Sequence, residues 1–295
     1  MPRRVKRDFS KEDWETYYRR YQTTLAREYL VPIFSRWGVE LGGKKLLEVG
    51  CGNGGCGAEF SRAGCDVVMM DIDERLVGLA KEHNDREGVA AEVFAGDVLD
   101  EAAPFWRRGP FDIVMFRDVM EHLESPAAVL RTARRFLSPA GVVLVVFPPY
   151  YSPYGAHQQI LPKKKFMLIP YNKLPYIQLL PKRMFLRLVR GEGPSNEEVA
   201  RLSAIRLTVR KFEREVREAG FVARERRPYL SRPSFALRYG FPVIDAGVLG
   251  RLPIIAEAAV TAVYYLLASA QESPNKRGSE PDHSDGAPAR RLKPR

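Results

Sequence analysis

The feature that most constrains the fold is a regular alternation between residues 45 and 147. Short apolar runs at Lys45–Val49, Asp66–Met70, Ala91–Phe94, Phe111–Phe116 and Val142–Phe147 read as strands. Between them, Gly55–Ala63, Arg75–Glu82 and Pro126–Leu137 carry helical spacing. Ser125 and Pro126 form an N-cap and first-turn pair, and Ser138–Gly141 reads as a stop and turn. Strands and helices alternating at these lengths specify an α/β fold: a doubly wound, mostly parallel sheet with helices on both faces. Such sheets bind ligands beyond the carboxyl ends of their strands. The residues that close each run are therefore the first candidates for chemistry.

Composition excludes several other classes. The chain has 295 residues, 45% hydrophobic and 28% charged, enough to bury a core without staples. Cys51, Cys56 and Cys65 are too few for a disulfide framework, and no Cys/His spacing reads as a zinc site, so no metal is expected and a reducing, cytoplasmic setting is. The basic start, Met1 to Ser10, is followed by no apolar core and does not read as a secretory signal. Leu252–Ala270 approaches the length of a membrane span, but Glu257 falls near its middle; a buried helix followed by a strand is expected there. The net charge of +11 permits anionic partners without identifying one.

The organisation expected is an N-terminal helical segment over residues 1–40, one domain over 41–270 with an insertion at 150–205, and a disordered tail over 271–295. Ser10 and Asp13 have capping-box spacing. Trp14, Tyr17, Tyr18, Tyr21 and Leu25 then recur at helical intervals. This stripe suits packing on the core, and a lid over a site is the other reading.

The first strand runs into Glu48-Val-Gly-Cys-Gly-Asn-Gly-Gly-Cys-Gly57. Closely spaced glycines let a ligand approach the main chain, and Gly50, Gly52 and Gly55 fit the G-x-G-x-x-G spacing of dinucleotide sites, a weak signal alone. Glu48 discriminates between cofactors. A carboxylate there repels a pyrophosphate and suits a ligand with positive charge and no phosphate, such as S-adenosylmethionine. Asp71 closes the second strand, 21 residues after Gly50, where an acid accepts from ribose hydroxyls. Asp97 follows the third strand, where a carboxylate can accept from an adenine amino group.

With these residues in order, the sequence resembles the class I S-adenosylmethionine-dependent methyltransferases, type 11 small-molecule group. The resemblance rests on Leu47–Gly54, Met70-Asp-Ile-Asp73, Ala95-Gly-Asp-Val98, Phe111-Asp-Ile-Val114, Val119-Met-Glu-His-Leu123 and Leu137–Val142. It covers about residues 40–150 and resumes weakly at Phe212–Phe221. It implies a Rossmann-like sheet of seven strands, with one antiparallel strand near Val260–Leu267, and a cap insertion after strand five. It implies that Glu48, Gly50, Gly52, Asn53 and Gly54 wrap the methionine part of S-adenosyl-L-methionine. Asp71 holds the ribose, Ile72 packs beside the adenine, and Asp97 and Val98 meet the adenine edge. Arg117, beyond strand four, is expected to point at the cofactor's carboxylate or an acidic acceptor.

Four histidines bear on proton transfer. His283 lies in the tail, and His83 is expected on a helix surface. His122 sits in a Glu-His-Leu triplet that many members carry, which favours a structural role. His157 follows strand five in a segment with Tyr150, Tyr151 and Tyr154, which are expected to line the acceptor pocket. His157, and secondarily His122, are the catalytic candidates. Phe147-Pro-Pro-Tyr150 looks like the motif of nucleic-acid amino-methyltransferases, but it follows the wrong strand and lacks the leading acid or amide.

From Ser125 to Gly191 there is no Asp or Glu, and eight Lys or Arg fall between Lys163 and Arg190 among apolar residues. This segment suits a cap over an anionic or amphipathic small molecule, contact with an anionic membrane surface, or an apolar cap with a solvated basic face. Nucleic acid ranks last, since no binding module is present. The function expected is methylation, at oxygen or carbon, of a hydrophobic or anionic small molecule. The alternatives are a membrane-associated enzyme acting on a lipid or quinone-type precursor, and a non-catalytic cofactor-binding partner subunit.

Overall fold

The computed structural model describes residues 4–5, 13–161, 165–166, 169–170, 173–191 and 193–270. Helix α1 (Trp14–Leu25) starts at Asp13, whose carboxylate accepts the Thr16 N–H at 2.7 Å. Ser10, the other half of the expected capping box, lies outside the described residues. The helix passes through a π-helical turn, Ala26–Leu30, into α2 (Val31–Arg36). The widened turn comes just before Pro32, which has no N–H to give to the turn behind it.

The alternating unit follows. It comprises β1 (Lys45–Val49), α3 (Gly55–Arg62), β2 (Asp66–Asp71), α4 (Glu74–Glu87), β3 (Ala91–Ala95), β4 (Phe111–Arg117), α5 (Pro126–Phe136) and β5 (Leu137–Phe147). Ser125 caps α5 as expected, its hydroxyl accepting the Ala128 N–H. Ser138–Gly141 is a correction. These residues belong to β5, across an irregularity in the pairing where Phe111 faces Leu137 and Ile113 faces Val142. A proline is tolerated there because the pairing is already broken by the extra residues.

After β5 come a short hairpin, β6 (Lys165–Phe166) and β7 (Ile169–Pro170), and helices α6 (Lys182–Val189), α7 (Pro194–Ile205) and α8 (Val209–Glu218). The chain closes with β8 (Phe221–Ser231), α9 (Pro233–Tyr239), β9 (Ile244–Asp245), α10 (Pro253–Ala258) and β10 (Ala262–Ser269). The main sheet has the order β3-β2-β1-β4-β5-β10-β8-β9. Among the described residues it has eight strands rather than seven, the extra one being the two-residue edge strand β9. β1 to β5 are parallel, and β10 runs antiparallel between β5 and β8.

Side chains alternate across the sheet with a period of two. Leu47, Val49, Val68, Met70, Val114 and Phe116 point to one apolar cluster with residues of α5 and α8. Leu46, Val67, Met69, Ile113 and Met115 point to the other, with residues of α2 and α3. Leu252–Ala270 divides into α10 and β10, and among the described residues no helix is long and apolar enough to cross a membrane. Glu257 has a local task. Its carboxylate accepts the N–H groups of Val209 and Arg210, both at 3.0 Å, at the start of α8. The expected tail, 271–295, lies outside the described residues.

Candidate functional site

The carboxyl ends of β1, β2 and β4 converge on the glycine loop. The N–H groups of Gly50 and Cys51 both donate to the Met70 carbonyl, at 2.9 and 3.0 Å, which ties the loop to the end of β2. Gly54 takes φ +76°, and a Cβ there would lie 2.9 Å from the Arg19 guanidinium. Gly57 serves by close approach: its N–H donates to Glu48 at 2.7 Å, and a Cβ would come 2.7 Å from the same carboxylate oxygen. Glu48 is 1% exposed. Burial pushes its carboxyl up to about 7, against the opposing pull of Arg117 and the Gly57 N–H.

Asp71 is buried at the end of β2. Its two oxygens accept from the Gly52 N–H at 2.8 Å and the Asp73 N–H at 3.0 Å. Each carboxylate oxygen has a second lone pair for a ligand. Beside it Ile72 is 74% exposed, an apolar surface left to water. Asp97 is exposed and accepts the Leu99 N–H.

Two expected site residues are turned elsewhere. The Val98 side chain packs in the apolar cluster beneath the sheet, which leaves its backbone at the rim. The Asn53 side chain donates to the Glu15 carbonyl at 3.0 Å, so it serves the contact with α1.

Arg19 is the residue the sequence did not announce. It is buried on α1, donates to the Asn53 carbonyl at 2.7 Å and to Asn84 at 2.9 Å, and pairs with Glu87 at 3.1 Å. It thus ties the glycine loop to α4. His83 is likewise buried rather than on a surface, and burial lowers its proton affinity.

Beyond Arg117 lies a cavity of about 340 Å³, walled by Trp14, Tyr18 and Tyr21 of α1, Tyr154 and His157 after β5, and Phe235 and Arg238 of α9. That is within the range of small-ligand pockets. The buried Arg117 guanidinium donates to Asp118 at 2.7 Å, and Arg232 pairs with the same carboxylate at 3.1 Å. Burial favours the neutral acid at Asp118, but Arg232 and Arg117 outweigh it and hold its affinity for protons down.

The three tyrosines do not line one pocket, which corrects that expectation. Tyr154 lines this cavity, whereas Tyr150 and Tyr151 face two others, bounded by α6 and by α8. Pro149 and Pro153 bracket a tight turn that sends successive side chains apart. A wider cavity of about 840 Å³ against β8 shares no lining residue with this one and none with the glycine loop.

His122 and His157, 35 positions apart in sequence, stand with ring centres 5.2 Å apart. His122 Nδ1 donates to the Glu198 carboxylate of α7. Burial lowers His122, but the Glu198 bond and the charges of Glu121 and Glu198 prevail and raise it. The same bond pulls Glu198 down to about 2. Burial, then the neighbouring His122, lower His157 to about 4, which leaves it neutral at physiological pH. Glu121 is 3% exposed, and burial raises it to about 7.

A family model described as a methyltransferase domain matches residues 17–224, well over half of the chain. The chain belongs to the methyltransferase domain family. The ubiquinone biosynthesis O-methyltransferases of Methylococcus capsulatus and Acinetobacter baylyi are each 34% identical to this methyltransferase-family chain, over 105 and 103 residues. Each alignment covers 35% of the chain and 43% of the relative, so the chain matches less than half the length of these relatives. Among solved structures, magnesium protoporphyrin IX methyltransferase from Synechocystis PCC 6803 with bound S-adenosylhomocysteine superposes with a TM-score of 0.50 at 16% identity, over 90% of this chain and 89% of that one. A structure described for the conversion of a disulfide bond into a thioacetal group during echinomycin biosynthesis superposes at 0.51, also 16% identical, over 83% and 82%. At such identities the likeness is one of fold, that of the class I S-adenosylmethionine-dependent methyltransferases.

Proposed function

We propose that this methyltransferase-family chain transfers a methyl group from S-adenosylmethionine to an oxygen of a small hydrophobic or anionic acceptor held in the cavity beyond Arg117. The observation that carries the reading is the buried carboxylate of Glu48 under a glycine loop that has no phosphate-binding Lys-Ser/Thr pair. It fits a cationic cofactor and disfavours a pyrophosphate. Gly50, Gly52 and Gly54 supply the backbone cradle, Asp71 the acceptor for ribose hydroxyls, Ile72 the apolar face for the adenine and Asp97 an acceptor at its edge. Bound there, the cofactor supplies an electrophilic methyl group on a good leaving group.

The protein's share of the chemistry is alignment. Holding the acceptor in line with the methyl group can lower the barrier by up to about 7–11 kcal/mol. Trp14, Tyr18 and Tyr21 give the acceptor an apolar wall and shield the reaction from water. Arg238 offers a cationic end to an acidic acceptor. At the other end neutral His157 accepts a hydrogen bond from the acceptor hydroxyl, and His122 with Glu198 stands behind it.

His157→Ala tests this assignment. Turnover of an accepted phenol or carboxylic acid is expected to fall at least about tenfold, with cofactor affinity unchanged by calorimetry. Unchanged turnover removes His157 from the reaction.

A second reading, action on an amphipathic acceptor at an anionic membrane surface, is favoured by α6. That helix exposes Met184 and Leu186 beside Lys182, Arg183 and Arg187. The reading as a non-catalytic partner subunit is the weaker one, because the cavity beyond the glycine loop is present and polar at one end.

A further inference from the structure

We infer that Glu121, His122 and His157 form a binding site for one divalent transition-metal ion, with zinc(II) the ion their donors suit best. One oxygen of Glu121 lies 3.8 Å from Nε2 of His122 and 3.7 Å from Nε2 of His157. Ligand atoms of all three residues fall within 4.8 Å of one another. In a tetrahedral zinc site with bonds of about 2.0–2.2 Å, neighbouring ligand atoms stand roughly 3.4 Å apart. The two carboxylate–histidine separations exceed that by a few tenths of an ångström, and the widest pair of donors has at most about 1.4 Å to close around an ion.

The distances are too long for hydrogen bonds, and this is the second observation. Both oxygens of the Glu121 carboxylate are buried without a hydrogen-bond partner. A carboxylate in that position is costly unless it is protonated or meets a cation. The histidines are arranged for the cation. His122 gives its Nδ1–H to Glu198, which turns Nε2 and its lone pair toward Glu121. A metal-bound histidine whose other nitrogen donates to a carboxylate is the usual second-shell arrangement. His157 takes a left-handed backbone, φ +54°, its N–H bonded to the Tyr154 carbonyl, and this turns its ring toward the same point. The cations that act on the cluster are each paired with a carboxylate, Arg232 with Asp118 at 3.1 Å and Arg201 with Glu198 at 2.7 Å.

Two histidines and one carboxylate leave a zinc ion a fourth position for water or a ligand. Here that position faces the cavity, because His122 and His157 both line it. The acceptor class that follows is an oxygen donor to the metal, a phenol, catechol or carboxylate; with the ion bound, a phenol's hydroxyl would be acidified by the metal in place of the direct hydrogen bond to His157. This last step rests on the acceptor reading above; metal binding does not.

The test uses the purified full chain, stripped with chelator, titrated with zinc(II) by calorimetry and with cobalt(II) by absorption. One zinc per chain is expected. Cobalt should give visible d–d bands without the near-ultraviolet thiolate charge-transfer band that Cys51, Cys56 or Cys65 would produce. Glu121→Gln and His157→Ala should each lower zinc affinity at least 100-fold, Glu198→Gln about 10–100-fold, and His83→Gln not at all. In metal-free protein Glu121→Gln should raise the melting temperature while abolishing the further rise that zinc gives. That result separates loss of a ligand from loss of the fold. Absence of stoichiometric zinc uptake, a thiolate band, or affinity unchanged in Glu121→Gln and His157→Ala overturns the proposal. Zinc uptake without binding of S-adenosylmethionine would leave the metal site standing and sink the methyltransferase reading; the reverse pattern would sink the metal site alone.

Discussion

Glu48 carries the argument at the scale of single residues. Its carboxyl is raised to about 7 because burial costs the anion more than Arg117 and the Gly57 N–H return. In the empty protein the proton is therefore held more tightly than in the unfolded chain. Glu48's contribution to stability is full below about 4.5 and declines as pH rises toward about 7. A cationic cofactor reverses the preference, since it binds best to the ionised form. The dissociation constant for S-adenosylmethionine should accordingly rise about tenfold per pH unit as pH falls below about 7, and Glu48→Gln should bind weakly with a flat pH profile. A pH-independent constant in the parent protein would remove Glu48 from the cofactor site. Asp71 and Arg117 were legible because each closes a strand, and Glu48 because it stands just before the glycine turn; such ends need only a short apolar run and a turn signal to be found. The His122–Glu198 bond was not legible. Its partners are 76 positions apart, and only the packing of α7 against the turn after β4 brings them together.

Among the elements, α1 is the one whose role the sequence described least. Its aromatic stripe follows from helical spacing, and Tyr17, Tyr21 and Leu25 do pack together with Leu237 of α9. The stripe also supplies the apolar wall of the cavity, so packing and covering are two sides of one helix. Its polar side carries Arg19, which has no pattern to mark it and acquires meaning only when α3 and α4 lie beside it. Arg19→Met should cost about 3 kcal/mol of stability, because the buried Asn53 carbonyl and Asn84 amide oxygen lose their donor while Glu87 keeps only Arg62, and it should weaken cofactor binding through the loosened loop. Chemical denaturation checks the first claim; a loss below about 1 kcal/mol would show the anchor to be dispensable. The reading of Ser138–Gly141 as a turn went wrong for a local reason. Pro and Gly mark breaks in regular pairing, and a bulged strand satisfies that rule as well as a loop does.

Across the whole molecule, the parallel sheet was legible from the alternation of runs and the antiparallel β10 from the family resemblance, whereas the edge strand β9 was not, since two residues carry no period. The surface raises a separate question. Exposed Met184 and Leu186 stand among basic residues on α6, so flotation with anionic vesicles should exceed flotation with zwitterionic ones, and Met184→Ser with Leu186→Ser should reduce it. Equal flotation on both lipids would count against the membrane reading.

Calorimetry of the purified chain decides which cofactor the glycine loop and Asp71 hold. We predict saturable one-to-one binding of S-adenosylmethionine, weakened at least about tenfold by Asp71→Ala, with no heat from NADH. A clear titration with NADH and none with S-adenosylmethionine would contradict the account.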